Sequence, residues 1–423
     1  MKNKLFEIGK LADKNRKYSY IFTSIFWYGV IIGINKISQF IIYPIVVANS
    51  DNSQLGSFEK YASLGSFFSM FIGLQLVSAL LRFYDESKLF VSTIFKLEMF
   101  LVLGGFIIAS IISDDLEEIL VFGNFILLPL FWLILNYWKK RNKNRRIIVI
   151  IGLYVGMTVG LTLLSYTWLN PRFSFYYIAS FVAHLTLITV FFPYGIVGLD
   201  RFSTAHVKSV FVYVLPLIPL SFYTWATSQS GKLIVVAYSD LELLGILGPS
   251  LKVGLILKLF EQISKVSLLD ALFSNREIKD SSISWIYTSL ILLGAFMLFG
   301  LHEFVINYFS NSSFYISQQF YYSLIFSTAL EMIRGVYFIN SYKTNNTWEI
   351  GLLTLLSVLV YVASFFLAIT VYGWQVIFDI LLVLNSIVFL ISFFYQERYS
   401  RDNKSRYFVL IPLLLVLIRY AAW

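Results

Sequence analysis

The side chains in this 423-residue chain that could do chemistry are cations set in apolar surroundings. Lys36 sits mid-run beside Asn35 and Gln39. Arg82 shares a helix face with Gln75 and Ser78, at spacings of three and four. Ser221, Thr224, Ser228 and Lys232 make a polar stripe in a third run, and Lys252, Lys258, Glu261 and Lys265 punctuate a fourth. An ionisable group inside a hydrocarbon span is costly, so each is a functional candidate by default. Together they suit the capture of an anion. A phosphate head cannot enter bare hydrocarbon, where its Born cost is on the order of tens of kcal/mol. Lysine and arginine in a wet cleft replace the hydration it loses. With no cysteine and three scattered histidines, thiol chemistry is excluded and neither a metal nor another cofactor is expected.

Several of these residues also have a plainer reading. Arg82 lies near a span end, where it can snorkel to water as well as line a cavity. Lys258, Glu261 and Lys265 fit the spacing of ion pairs along one helix, and so do Glu331 and Arg334. Lys36 and Lys232 have no carboxylate three or four residues away, which favours a cavity. His184 is read as a packed polar residue. Pro44, Pro216 and Pro219 each remove a helix hydrogen bond and mark either static kinks or hinges.

The elements that must position these residues are membrane spans. The chain is 58% hydrophobic with a mean hydropathy of +0.74, and only 13% of residues are charged. Apolar runs of about 20 residues, enough to cross the hydrocarbon core, recur from end to end. The fold class is therefore all-α, a polytopic helical membrane protein. Spans are expected near 20–48, 58–83, 90–112, 119–138, 147–169, 173–197, 210–238, 241–269, 283–306, 318–339, 349–371 and 375–394. The first run is too long for a cleavable signal.

The net charge of +9 sits in short loops, which argues for membrane topology and against nucleic acid as a partner. Lys2 to Lys17 and Lys139 to Arg146 are basic, whereas the Asp114–Glu118 turn is acidic. Apart from a lone Arg172, the alternation puts the N-terminus in the cytoplasm. The run from Tyr407 to Trp423 is short and is either a thirteenth span or an interfacial helix. No loop is long enough for an extramembrane catalytic domain, so no enzyme is expected.

One stretch occurs twice. Ile45–Gly56 reads IVVANSDNSQLG and Ile234–Gly245 reads IVVAYSDLELLG, identical at eight of twelve positions and 189 residues apart. Two homologous halves follow, a six-helix lobe over 20–200 and another over 201–397, flanked by a basic tail at 1–19 and a second tail at 398–423. Six spans per half is even, so the halves enter the membrane in the same direction. Their repeat axis should lie along the membrane normal, with a cavity between them.

The segments GINKISQFIIYP, Leu55-Gly56 and ALLRFYDE at Ala79–Glu86 resemble the first two helices of polysaccharide (O-antigen type) flippases. LPLIP from Leu215, Gly231-Lys232, Leu244-Gly245 and Lys252 resemble their seventh and eighth helices. That family belongs to the MATE-like multidrug/oligosaccharidyl-lipid/polysaccharide (MOP) exporter superfamily. The resemblance implies a V-shaped pair of six-helix bundles in the bacterial inner membrane. It would move an undecaprenyl-pyrophosphate-linked oligosaccharide from the cytoplasmic to the outer leaflet by alternating access. Arg82, Lys232 and Lys252, with Lys36, Lys258, Gln39 and Ser228, would line the cavity. Membrane lipids, a polysaccharide polymerase and a chain-length regulator are the implied partners, and H⁺ or Na⁺ the coupling ion. Two rivals stand beside it. A MATE-type drug exporter wants acidic cavity residues, of which Asp379 and Glu331 are the nearest. A membrane polymerase or transferase needs an acid/base pair on a loop, where Asp114–Glu118 reads as a solvated turn.

Overall fold

Asp51 and Asp115 start two helices earlier than the apolar runs do. Each is an N-cap whose carboxylate accepts a backbone N–H, from Gln54 at 2.7 Å and from Glu117 at 2.9 Å. The computed structural model describes residues 23, 25–27, 29–30, 33, 41–46, 49–168, 172, 174–197, 204–238, 241–242, 244–245, 248, 254, 256–264, 280–304, 318–333, 355, 358–359, 361–363, 366–367, 370–371, 377–397, 415 and 418. Its helices include α1 (Asn52–Gly73), α2 (Leu76–Phe83), α3 (Lys88–Ile112), α4 (Leu116–Lys140), α5 (Asn144–Trp168) and α6 (Ser174–Phe191). They continue as α7 (Tyr194–Val197), α8 (Thr204–Val214), α9 (Ile218–Trp225), α10 (Gly231–Tyr238), α11 (Asp280–Gly300), α12 (Gln318–Ile333) and α13 (Ile377–Glu397). No strand occurs among the described residues. Among the described residues five helical stretches are long and apolar enough to cross a membrane, the first being α1 and α2 together. The molecule is an all-α, multi-pass membrane protein.

The amino-terminal helices gather round α4, which packs on α6, α1 and α3. Its most apolar window is 72% buried, against 33–50% for the other four, so α4 is the central post. In the second half, α12 packs between α11 and α13. The acidic turn is ordered by its partners. Glu118 accepts bonds from Tyr61 and Ser113, and Arg172 reaches Glu117 at 3.3 Å. The one cation that broke the loop alternation thus neutralises a carboxylate of that turn.

Two spans that meet along their length are each broken. The second span changes direction at Leu74 and Gln75, where φ is 35° and 58°. Left-handed backbone costs a non-glycine residue about 1–2 kcal/mol. The break lies against Pro129 of α4, which the absent side chain of Gly73 lets approach. The seventh span passes through a 3₁₀ turn at Leu215–Leu217, which holds Pro216, and a π-helical turn at Ala226–Ser230. Pro219 sits in α9, and Pro44 lies in the helical segment 41–46. The proline at 216 therefore coincides with a break, whereas neither Leu74–Gln75 nor the π turn contains a proline.

The repeated stretch has a structural counterpart. A Cβ on Gly56 would collide with the carbonyl of Leu241, and a Cβ on Gly245 would collide with the carbonyl of Asn52. Asn52 and Leu241, like Gly56 and Gly245, stand 189 residues apart. Such a reciprocal contact is what two equivalent elements make across a twofold axis. The two helix starts touch, so they lie at the same end of the molecule.

Candidate functional site: the seam between the two halves

From that crossing, α1 runs antiparallel to the seventh span, and polar contacts step along the line where they meet. Glu59 Oε2 accepts from Lys232 Nζ at 2.7 Å, with side chains 0% and 1% exposed. One turn further, Ser63 Oγ donates to Gln229 Oε1 at 3.1 Å, and Trp225 Nε1 donates to the Ser63 carbonyl at 3.0 Å. The Phe67 and Trp225 rings follow, 4.7 Å apart. At the far end Gln75 Nε2 donates to Ser221 Oγ, while its Oε1 accepts from Ser78 at 2.8 Å. The strained turn at Leu74–Gln75 aims Gln75 across the seam. These two hydrogen bonds, each worth about 1 kcal/mol net, help to offset its backbone cost.

The Glu59–Lys232 pair is shut away from water. A Cβ on Gly248 would stand 2.7 Å from Glu59 Cγ, so the neighbouring helix presses directly on the carboxylate's stem. Aromatic rings close the first-half flank. Phe58 stacks on Tyr177 at 4.9 Å and lies 6.0 Å from Tyr43, and Tyr177 donates to the Phe58 carbonyl. Two charges in a dry interface add little to stability as a pair. Removing either one alone costs about 3–5 kcal/mol, because an uncompensated charge is left behind.

The sequence candidates fall as follows. Lys232 was expected in a wet cleft because its own helix offers no carboxylate. Instead it is buried on Glu59, 173 residues away in sequence. Lys258 is also buried and meets Glu331 of α12 at 3.4 Å, so these two form an inter-helix pair. Arg82 pairs with Glu86 at 2.8 Å and lies over the Phe83 ring, a half-exposed position at the end of α2. Ser228 falls in the π turn, where Gln229 makes a contact across the seam. Lys36, Gln39 and Lys252 lie outside the described residues. His184 is packed as anticipated, held by Asn124 Oδ1 at 3.1 Å and between the rings of Phe131 and Tyr154. No group of acidic, histidine or cysteine side chains able to hold a metal occurs among the described residues. Glu59 and Gln229 were missed by sequence reasoning. Glu59 falls next to the span start placed at Phe58 and was assigned no role.

A helical membrane protein with a polar seam between α1 and the seventh span is the class defined by fold and site. Solved structures share this architecture. A multidrug resistance MATE family transporter of the MOP superfamily, in an outward-facing conformation, superposes with a TM-score of 0.67 at 10% identity. The match covers 90% of this chain and 96% of that one. The MATE multidrug transporter DinF-BH, solved with a bound ligand, gives 0.62 at 12% identity, over 90% and 95% of the two chains. A MOP superfamily transporter from Pyrococcus furiosus Vc1 gives 0.59 at 12%, over 90% and 96%. Its binding pocket is described as having reverse polarity, suggesting a different function. No family model matches the chain, and no curated protein matches it. The fold is that of MATE transporters.

Proposed function

We propose that the chain is a flippase of the bacterial inner membrane, with 20–200 and 201–397 as its two lobes. It carries an undecaprenyl-pyrophosphate-linked oligosaccharide to the outer leaflet by alternating access. The observation that supports this reading is the buried Glu59–Lys232 pair, which bridges one half to the other. Alternating access must part the halves, and parting them strips Lys232 of its carboxylate. A pyrophosphate can take that carboxylate's place on the ammonium, which an unpaired buried lysine requires. Lys36 and Lys252 are proposed as further counter-charges, and Arg82 and Lys258 as cations that guide the anion. The same pair admits a second reading. In a drug exporter Glu59 would serve a cationic substrate while Lys232 holds it in reserve, and the fold accommodates either.

Neutralising each partner separates them. The assay is accumulation of lipid-linked oligosaccharide on the inner leaflet, with protein level measured alongside. Lys232→Gln should lower flipping at least tenfold at normal abundance, whereas Glu59→Gln should retain most of it, since a charge-assisted contact is worth roughly 1.5–3 kcal/mol. Loss confined to Glu59→Gln, with export of a cationic dye in its place, would select the drug-exporter reading.

A further inference from the structure

A cavity away from the seam opens at the basic end of the amino-terminal helices. Its volume is about 1260 Å³, and its walls include Tyr84, Lys88, Tyr137, Trp138, Arg141 and Arg146. Asp85 is the single carboxylate on the lining, against three cations. Among the described residues none of Lys88, Arg141 and Arg146 forms an ion pair.

The basic loop beneath it is built rather than loose. Asn142 adopts φ 54°, Lys143 N–H bonds the Trp138 carbonyl at 3.0 Å, and Asn142 N–H bonds that of Lys139 at 2.9 Å. This is a Schellman cap, which closes α4 and fixes the direction in which the chain turns toward α5. Arg141 donates to the Tyr137 hydroxyl at 3.0 Å, and the Arg146 guanidinium lies 4.3 Å from the Trp138 ring centroid. Trp138 is itself anchored by donation from Nε1 to the Phe191 carbonyl at 3.1 Å. Stacked guanidinium groups keep their in-plane N–H donors free for an oxyanion. A second wall carries Val190, 64% exposed, and Tyr194, 61% exposed.

We propose that this cavity binds the phosphate-bearing headgroup of a membrane lipid in the cytoplasmic leaflet. Arg141 and Arg146 would grip the phosphate, with the acyl or polyprenyl chain running out past Val190 and Tyr194. Loop charge puts this end at the cytoplasmic surface, and basic pockets between helices there are suited to lipid phosphates. The volume exceeds the upper range of drug-sized pockets, about 1,000 Å³, so a phosphate and a sugar fit together. The aromatic floor of Tyr84, Tyr137 and Trp138 offers faces on which a sugar can lie. The inference stands apart from the substrate reading above, which concerns the seam.

Retention of lipid by the purified full chain, measured by native mass spectrometry, tests it. The probes are undecaprenyl pyrophosphate, phosphatidylglycerol, phosphatidylethanolamine and soluble inorganic pyrophosphate. Arg141→Gln with Arg146→Gln should lower retention of the two anionic lipids tenfold or more and leave phosphatidylethanolamine unchanged. Lys88→Gln, on a separate helix, should lower it severalfold without touching the loop. Preference for undecaprenyl pyrophosphate over phosphatidylglycerol would make the cavity a port for the carrier lipid. Equal retention would make it a general anionic-lipid site, and both outcomes support headgroup binding. Undiminished retention in the arginine variant, or soluble pyrophosphate bound as tightly as its lipid, would overturn the proposal. Failure here would leave the Lys232 assay untouched.

Discussion

The seam and the basic cavity handle positive charge in opposite ways. At the seam Lys232 is buried and already neutralised by a carboxylate from the other half of the chain. At the cavity Arg141 and Arg146 are exposed, held by aromatic faces, and carry no ion pair among the described residues. Burial accounts for the difference. An exposed cation keeps its water and can wait for a ligand, whereas a buried one needs a partner. A partner from the opposite half makes neutralisation conditional on closure. In this account the seam is a gate and the cavity is a port.

The reciprocal crossing should give the largest effect. Gly56→Leu or Gly245→Leu would put a Cβ 1.8 or 1.9 Å from a backbone oxygen that cannot yield. That should cost more than the roughly 1–3 kcal/mol of ordinary overpacking and more than loss of the buried pair. Thermal unfolding in detergent should show a marked fall for either variant, similar in size because the contacts are equivalent. A large fall for one and none for the other would break the symmetry argued from the repeat.

Next comes the buried pair. Glu59→Ala or Lys232→Ala alone should destabilise by about 3–5 kcal/mol, and the double variant by clearly less than the sum. Additive losses would mean that the two charges do not meet as described. Gln75→Ala removes two hydrogen bonds at the strained turn and should cost about 1–2 kcal/mol. Leu74→Gly should recover about 1 kcal/mol in the same unfolding measurement, because glycine accepts a left-handed φ. The smallest change is expected for Arg172→Ala. Its pair with Glu117 is exposed, and such pairs contribute about 0–1 kcal/mol, lost in high salt.

Much of the scaffold was legible in the sequence. Apolar length located the five spanning stretches found among the described residues, and the repeated Leu-Gly located the crossing, because only glycine lets two helix starts touch there. What escaped was whatever depends on a neighbour far along the chain. Spacing along one helix offered Lys258 and Glu331 partners on their own helices, and no local rule pointed to the contact they make with each other across two helices. Glu59 could not be matched to Lys232 because no local rule links residues 173 positions apart. The π turn and the Leu74–Gln75 break were invisible for a related reason. Contacts across the seam hold them in place, and no proline marks either one.

The central claim is that the seam parts to admit an anionic headgroup. Ser63 lies in its middle, 0% exposed, in a chain without cysteine. A Ser63→Cys variant reconstituted in vesicles should resist a membrane-impermeant thiol reagent applied from the extracytoplasmic side, and Glu59→Gln added to it should raise the labelling rate. Undecaprenyl-pyrophosphate-linked oligosaccharide supplied on the cytoplasmic side should raise it too, by tenfold or more, but not once Lys232 is changed to Gln. A labelling rate indifferent to both Glu59→Gln and the lipid would contradict the account.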